Sequence, residues 1–323
     1  MSHPSDRAAV TIIVPGYEVA AYAEEALDSL RAQTRDDWAA ILVDDASTDG
    51  TAEIFADAAA DDPRFRLVRH DIRQGLAAAR NTGLDLVETP LVGFLDADDL
   101  FTPTALERLV GTLDETGSDF ALGAYVRLRP DRNGGYTTGI VQPWVAAATD
   151  PERRATNIDA HPAASANIVA WSKVSRVEFW RRAGLRFPVG RLYEDQVVAQ
   201  RMYAAARAFD VVPDVLVHWR ERADGTSITQ RKDAVLVLRD YLDGMAGGIA
   251  ELEGAGHAAA VQERVRLILA MDLPPLVRIA QEHPDDAYRR ALGAFTRDLW
   301  ARGGAVAPLD DESAHLAAAA QLW

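Results

Sequence analysis

Short apolar segments alternate with helical patterns through the first part of this chain, and the alternation limits the fold more than any other feature. The apolar runs lie at residues 10–14, 40–43, 65–69 and 91–95, and each precedes a helical pattern, at 23–33, 51–60, 76–86 and 104–116. Strands that are apolar throughout and are separated by helices are typical of a parallel sheet with both faces covered. We therefore predict an α/β fold in which helices flank the sheet.

The regular alternation ends after a further apolar segment at residues 120–128. Later segments predict loops with a hairpin at 130–166, strands at 168–171 and 215–219, and helices at 177–183 and 194–206. From residue 232 the pattern is helical, and Pro274, Pro275 and Pro284 divide it into three or four helices. We expect a boundary near residue 230, between an α/β body and a helical C-terminal region at 231–323.

The composition excludes several classes of protein. The 323 residues include no Cys, which rules out disulfides, thiolate metal sites and cysteine nucleophiles, and the seven His occur singly. A net charge of −15 argues against a broad surface for nucleic acid or anionic membranes. No apolar run approaches the roughly 18–20 residues of a membrane helix, and the polar N-terminus does not resemble a targeting segment. We expect a cytoplasmic protein with no nucleic-acid partner.

Acidic residues cluster where two of the predicted strands end. Asp44 and Asp45 follow the second strand, and Asp96, Asp98 and Asp99 follow the fourth. In α/β folds ligands bind at the carboxyl ends of parallel strands, so we expect these side chains at one edge of the sheet. Clustered carboxylates repel one another unless a cation neutralises them, and hard ions such as Mg2+ or Mn2+ favour oxygen ligands. The pattern indicates a site for a divalent ion and the phosphate oxygens that such an ion binds.

Four motifs, taken in order, resemble the family 2 glycosyltransferases of the GT-A fold. They are Val14-Pro15-Gly16-Tyr17, the segments 43–51 and 75–83, and Leu95-Asp96-Ala97-Asp98-Asp99. The pair Glu194-Asp195 at the start of a helix and the segment 218–229 also match. Glu18 is a departure, since an Asn usually follows the Tyr. The resemblance covers residues 10–230 and implies a GT-A type, Rossmann-like mixed sheet flanked by helices, with an additional helical C-terminal region.

The resemblance also implies a role for each matching residue. The donor nucleotide and its sugar would be bound by Pro15, Tyr17, Asp45, Arg80, Asp96, Arg222 and Ser227. Asp45 would accept a hydrogen bond from the base, which we expect to be uracil. Asp98 would ligate the metal ion, and His218 would be a further metal ligand or a phosphate contact. Asp195 would be the general base.

The implied activity is that of an inverting, metal-dependent glycosyltransferase of hexosyltransferase type. It would use Mn2+ or Mg2+ to move a sugar from a nucleotide diphosphate donor, expected to be a UDP-sugar, to an acceptor hydroxyl. Residues 1–230 would form the catalytic domain, with a nucleotide-sugar half at about 1–130 and an acceptor half at about 131–230. The expected acceptor is a carbohydrate or polyol phosphate of a cell-envelope polysaccharide or teichoic-acid-like polymer. Peripheral association with the inner face of the membrane and homo-oligomerisation through the C-terminal helices are further expectations.

Other interpretations stay open on the sequence alone. The chain could be a catalytically silent nucleotide-sugar-binding module or a glycosyltransferase of secondary metabolism. A nucleotidyltransferase is a further alternative, but the sequence after the first strand has no glycine-rich phosphate loop, which argues against it. Asp49 and Asp195 could cap helices, and Arg80 could be exposed on a helix. His218 could be a structural residue, and Trp171 could pack in the core rather than stack on a sugar.

Overall fold

The computed structural model describes residues 8–132, 134–223, 233–303 and 309–323. These residues group into two compact units that interleave along the chain. The first contains the described residues of 8–157, 169–191 and 206–223, and the second contains 158–168, 192–205 and those from 233 onwards. The predicted boundary near residue 230, between an α/β body and a helical C-terminal region, stays a prediction.

A mixed ten-stranded sheet, counted over the described residues, lies in the first unit. Its strands are β1 (Val10–Gly16), β2 (Trp38–Asp44), β3 (Phe65–Arg69), β4 (Leu91–Phe94), β5 (Leu100–Phe101), β6 (Phe120–Pro130), β7 (Tyr136–Thr138), β8 (Arg153–Thr156), β9 (Lys173–Arg176) and β10 (Phe209–Arg220). The order is β3-β2-β1-β4-β9-β6-β10-β5, with β7 beside β6 and β8 beside β10. β1 is parallel to β2 and β4, whereas β9 is antiparallel to β4 and β6. The predicted α/β fold with a mixed sheet is confirmed.

Helices cover this sheet and bring side chains to its edge. They are α1 (Ala20–Arg31), α2 (Thr51–Asp61), α3 (Leu76–Asp85), α4 (Ala105–Thr116), α5 (Pro143–Thr149) and α6 (Val177–Arg182). Gly83 lets α3 lie directly on β1, because a β-carbon there would come within 2.5 Å of Ile13 Cγ2. The close packing of α3 on a fully buried strand determines where the other side chains of α3 point.

The second unit is helical over its described residues. It contains a 3-10 helix (Pro162–Ala166), α7 (Asp195–Ala205), α8 (Val235–Gly254), α9 (Ala258–Leu267), a π-helical turn (Ile268–Asp272), α10 (Leu273–Glu282), α11 (Asp286–Ala301) and α12 (Asp311–Gln321). Pro274 and Pro275 lie in the first turn of α10, where a missing N–H is tolerated, and Pro284 follows its end. The predicted helical C-terminal region is confirmed, with more helices than the three or four expected.

Two strands differ from their predicted positions. The structure has no strand at 168–171; the strand is instead β9, which begins at Lys173. β9 does not read as a buried strand in the sequence because it contains polar residues. In the structure these residues form hydrogen bonds: Lys173 Nζ donates to Val169 O at 2.6 Å, and Ser175 Oγ accepts from Trp180 Nε1 at 2.9 Å. β10 begins earlier than the predicted 215–219, because its first residues pair with β6 and β8. Of the helices that the structure describes, none has the length and apolarity of a membrane span.

Candidate functional site

The turn after β1 is tied to the loop after β2. Glu18 has a left-handed backbone, with φ at 50°, and its Oε1 accepts hydrogen bonds from Thr48 N at 2.7 Å and Thr48 Oγ1 at 3.0 Å. Glu18 N donates to Ser47 Oγ at 3.2 Å. Left-handed backbone favours Asn, which agrees with the Asn usual in the resembled family. The hydrogen bonds from Thr48 offset the backbone cost of a Glu at this position.

Asp49 is a capping residue, as the simpler interpretation predicted. Its Oδ1 accepts from Thr51 N at 3.0 Å and Thr51 Oγ1 at 2.6 Å, at the start of α2. Its Oδ2 accepts from Ala20 N at 2.9 Å, at the start of α1. Burial acts to raise the pKa of Asp49, but these hydrogen bonds outweigh it and hold the pKa below its ordinary value. One carboxylate therefore anchors two helix N-termini beside the strand ends.

Asp45 lies buried directly after β2, where its carboxylate holds the loop that follows β3. Oδ1 accepts from Gln74 N at 2.8 Å, and Oδ2 accepts from Gly75 N at 2.7 Å. His70 Nδ1 lies 2.7 Å from Asp45 Oδ1, and His70 Nε2 lies 2.9 Å from Thr82 Oγ1. His70 could not be singled out from the sequence, because no motif marks it. A carboxylate oxygen can accept more than one hydrogen bond, so these contacts are compatible with a further hydrogen bond from a nucleobase. The predicted contact of Asp45 with the nucleobase stays a prediction.

Tyr17 follows the buried Pro15 at the end of β1, and its ring lies beside an arginine. Arg73 Cζ is 4.0 Å from the centre of the Tyr17 ring, a cation–π contact. Arg73 is exposed, and contacts of this kind at exposed sites contribute only about 0.5–1 kcal/mol. Arg73, like His70, carries no motif that marks it in the sequence. The contact between the Arg73 guanidinium and the Tyr17 ring is weak, and the ring is planar. The Tyr17 ring is therefore suited to stacking with a flat nucleobase.

Arg80 joins α3 to the acidic segment that follows β4. The residue is only 1% exposed, and its Nη2 donates to Asp96 Oδ1 at 2.7 Å. Its guanidinium carbon also lies 5.2 Å from the centre of the Phe187 ring. The alternative that Arg80 is an exposed helix residue is therefore wrong. A buried cation needs an anionic partner, which Asp96 supplies.

Two arginines at the end of β10 hold the rest of the acidic segment. Arg222 Nε donates to Asp98 Oδ2 at 2.7 Å, Arg220 Nε donates to Asp98 O at 2.8 Å, and Arg220 N donates to Asp99 Oδ1 at 2.8 Å. Burial raises the pKa of Asp98, against the opposing charge of Arg222, and the Asp96 charge adds to the rise. Burial and the charges of Asp98 and Asp96 raise the pKa of Asp99 well above its ordinary value. A further cation at this segment would relieve the repulsion among its carboxylates.

The carboxylate oxygens of Asp98 are suitable ligands for a divalent metal ion that substrate phosphates also help to hold. Across the described ranges, no group of three or more His, Asp or Glu side chains is arranged to hold a metal ion. Mg2+ is commonly bound by one or two carboxylates together with substrate phosphates, so a complete protein cage is not required. His218 lies on β10, where burial lowers its pKa and favours the neutral imidazole. Its role as a ligand stays a prediction, and Ser227 lies outside the described residues.

Asp195 lies in the second unit, as the first residue of α7. Its side chain is partly exposed, while the preceding Glu194 is buried. Its role as the general base stays a prediction.

Trp171 is 3% exposed and packs against Tyr125 with a ring separation of 4.8 Å, so the interpretation as a core residue is correct.

The comparisons with known proteins agree with these features. Residues 11–171 match the family model described as Glycosyl transferase family 2. The uncharacterized glycosyltransferase EpsJ of Bacillus subtilis (strain 168) is 30% identical over 230 residues, which are 70% of this chain and 65% of EpsJ. The succinoglycan biosynthesis protein ExoO of Rhizobium meliloti (strain 1021) is 34% identical over 113 residues, 35% of this chain and 32% of ExoO. The chain thus spans less than two thirds of these relatives' length.

The fold also matches that of a solved structure. S. aureus TarS 1–349 in complex with UDP-GlcNAc superimposes with a TM-score of 0.73, over 91% of this chain and 83% of that one, at 19% identity. The architecture is therefore that of a GT-A glycosyltransferase with a helical C-terminal region. The chain belongs to glycosyltransferase family 2.

Proposed function

We propose that this chain is an inverting, metal-dependent glycosyltransferase that uses a UDP-sugar. The observation that carries the proposal is the acidic segment after β4, where Arg80 pairs with Asp96 and Arg222 pairs with Asp98 at the carboxyl edge of a family 2 sheet. Such a segment places carboxylates and guanidinium groups together, which suits a ligand that carries a diphosphate, a sugar and a metal ion. The UDP-GlcNAc bound to TarS supports a UDP-sugar as the donor.

The base pocket is proposed to lie between the turn after β1 and the loop after β3. The uracil ring would stack on Tyr17 beside Pro15, with Arg73 displaced from the ring face or covering the other side of the base. Asp45 would accept from the uracil N–H, in addition to the amides of Gln74 and Gly75 that it already holds. The ribose or the donor sugar would donate a hydroxyl hydrogen bond to Asp96, which already accepts from Arg80 Nη2.

The metal ion is proposed to be Mn2+ or Mg2+, with Asp98 as its carboxylate ligand and His218 as a second candidate ligand. When bound, such an ion neutralises the charge that develops on the departing diphosphate. Arg222 would leave Asp98 and bind the phosphate oxygens, because a guanidinium pairs with phosphate as well as with carboxylate. Ser227, in the segment after Arg222, would add a hydroxyl contact to the same phosphates.

Asp195 is proposed to take the proton from the acceptor hydroxyl as that oxygen attacks the anomeric carbon. The C–O bond to the acceptor forms while the bond to the UDP oxygen breaks, so one carboxylate base opposite the leaving group gives inversion. The proton passes to Asp195, and UDP leaves with the electron pair of the broken bond. The transferred sugar is proposed to be a hexose, which would make the enzyme a hexosyltransferase.

The acceptor is proposed to be a hydroxyl of a carbohydrate or polyol phosphate in envelope polysaccharide or teichoic-acid-like polymer synthesis. The name of ExoO, a succinoglycan biosynthesis protein, supports a polysaccharide. Synthesis at the cytoplasmic face of the membrane, peripheral association with it and pairing of subunits through the C-terminal helices belong to the same proposal.

The proposal is tested with a panel of UDP-, GDP- and dTDP-sugars, each with Mn2+, with Mg2+ or with EDTA. We expect UDP-sugars with a divalent ion to raise the melting temperature and to be hydrolysed slowly without an acceptor. Stabilisation by UDP without any hydrolysis or transfer would favour a silent binding module. If no nucleotide diphosphate stabilises the fold with either ion, the proposed function is wrong.

A further inference from the structure

The turn that carries Glu194 and Asp195 is flanked by a stacked pair of tyrosines within the second unit. Tyr193, directly before the turn, lies against Tyr241 of α8 with a ring separation of 4.4 Å. The backbone of Tyr193 is left-handed, with φ at 59°, which a tyrosine rarely adopts. Residues in such a conformation persist only where the surroundings hold them, and they cluster at functional sites. The geometry of this turn therefore depends on what packs against it.

A ring of contacts connects the two sides of the turn. Tyr241 Oη donates to Asp272 Oδ1 at 2.5 Å, and Asp272 Oδ2 lies 3.8 Å from Arg264 Nη2. Arg264 Nη2 in turn donates to Gln196 Oε1 at 2.8 Å. Gln196 N donates to Tyr193 O at 3.2 Å, which closes the ring across Glu194 and Asp195. We name these five residues the turn-holding ring: Tyr193, Tyr241, Asp272, Arg264 and Gln196.

Three of the five ring residues are buried, although the ring contains two charged side chains. Arg264 is 4% exposed, Tyr241 is 5% exposed and Gln196 is 1% exposed. Burial, and then the charge of Asp272, raise the pKa of Tyr241 well above its ordinary value, so the hydroxyl stays a neutral donor. A buried charge is costly unless it is paired, and Arg264 meets both Asp272 and Gln196, so the ring favours one arrangement of these side chains.

Helix α8 also lies unusually close to the start of α7. A β-carbon at Gly248 would come within 2.9 Å of Gln200 Cγ and 3.0 Å of Gln196 O. Asp240, earlier on α8, accepts from Leu192 N at 3.2 Å through its Oδ2. Backbone contacts of this kind leave little freedom for the segment from Leu192 to Gln196. The π-helical turn that ends at Asp272 adds a further irregular element, of a type frequent at functional sites.

We propose that the C-terminal helices position the general base, and that the turn-holding ring is the device by which they do so. This inference rests on the proposed function, since it concerns the residue proposed there as the base. It assigns a role to the helical region at 231–323. The ring residues are positioning residues, because they act through Asp195 and not on the substrate. A misplacement of about 1 Å at a catalytic group can cost on the order of a hundredfold in rate.

The test compares two tyrosine substitutions in the full chain. Tyr241→Phe removes only the hydroxyl that donates to Asp272. Tyr203→Phe is the matched control, because it removes a buried hydroxyl that donates to Asn167 O at 3.0 Å near the other end of α7. For each variant we would measure kcat, the KM for the donor, the Kd for UDP and the hydrogen–deuterium exchange of amides 192–197. Asp272→Asn keeps an acceptor for Tyr241 but removes the charge facing Arg264, and it replaces Tyr241→Phe if that variant does not fold.

We expect Tyr241→Phe to lower kcat by about tenfold, with KM for the donor and Kd for UDP unchanged within about twofold. We also expect faster exchange at 192–197 in Tyr241→Phe and wild-type exchange there in Tyr203→Phe. Equal kcat for the two variants, or unchanged exchange in Tyr241→Phe, would overturn the inference. A wild-type protein without activity on any donor would refute the proposed function instead, and the exchange measurement would still report whether the ring holds the turn.

Discussion

Arg222 Nε and Asp98 Oδ2 lie 2.7 Å apart, and this ion pair joins the end of β10 to the acidic segment after β4. Each side chain is 17% exposed, so the pair lies just below the surface, where a diffusing ligand can reach it. Asp98 is also the proposed metal ligand. Under the proposed function, the arginine and the metal ion would compete for one carboxylate, and the diphosphate of the donor would offer the arginine an alternative partner.

Asp98→Asn is expected to weaken the metal-dependent binding of UDP by about tenfold or more, because it removes the charge that would hold the ion. Isothermal titration with UDP in Mn2+ and in EDTA would measure the effect. Asp28→Asn is the matched control, since Asp28 is 63% exposed and pairs with Arg31 at 2.8 Å on α1. If UDP binding by the Asp98 variant kept its full metal dependence, Asp98 would not be a ligand.

Asp195→Asn is expected to lower the transfer rate by about 10²–10⁴-fold, the usual contribution of a general base. The Kd for UDP should stay at its wild-type value, because the base does not bind the nucleotide. Steady-state transfer assays and UDP titration would separate these two quantities. Asp286→Asn is the control, as Asp286 is likewise the first residue of a helix, α11. Retained transfer in the Asp195 variant would contradict the assignment of the base.

Arg80→Met is expected to lower the free energy of unfolding by about 1–3 kcal/mol, because it leaves the Asp96 carboxylate without its cation. The cost stays below that of a fully buried pair, since the Asp96 side chain is 23% exposed. Urea denaturation would measure this change in the free energy of unfolding. The double variant Arg80→Met/Asp96→Asn should recover part of the loss, and a double variant no more stable than the single one would show that the pair is unimportant.

Asp49→Ala is expected to lower the free energy of unfolding by about 1 kcal/mol at neutral pH, because Asp49 caps two helices. The pKa of Asp49 is lowered in the folded protein, so its contribution is present above the ordinary aspartate pKa and is lost as the pH falls through the lowered value. The difference from wild type should therefore shrink below about pH 4. Urea denaturation between neutral and acidic pH would follow it, with Asp57→Ala, an exposed residue of α2, as control. A pH-independent difference would contradict the capping role.

Gly248→Ala is expected to lower the free energy of unfolding by about 1–2 kcal/mol. The new β-carbon meets Gln196 O and Gln200 Cγ, and overpacking costs about 1–3 kcal/mol, against about 1 kcal/mol returned by helix propensity. Gly254→Ala, at the end of the same helix, meets no atom within 4 Å and should be neutral or slightly stabilising. Thermal unfolding of both variants would test this, and equal stability would mean that α7 and α8 tolerate a wider separation.

Apart from the two-residue strand β5, the strands and helices between residues 8 and 130 could be predicted because each is a local pattern. Buried strands such as Val10–Gly16 are apolar throughout, and the turns between them carry their own signals. β9 could not be placed, since its Lys173 and Ser175 are satisfied only by residues that the fold brings to them. Arg80 was ambiguous for the same reason, because its burial depends on how closely α3 lies on β1.

The sequence by itself determined the class of fold, the order of the motifs and the place of the acidic residues at strand ends, because these depend on spacing along the chain. Only the tertiary structure decided which polar side chains meet: Arg80 with Asp96, Arg222 with Asp98, and Arg264 with Gln196. The partners in these three pairs are separated by 16, 124 and 68 positions. No local pattern encodes such contacts, since they arise from the packing of whole helices and strands.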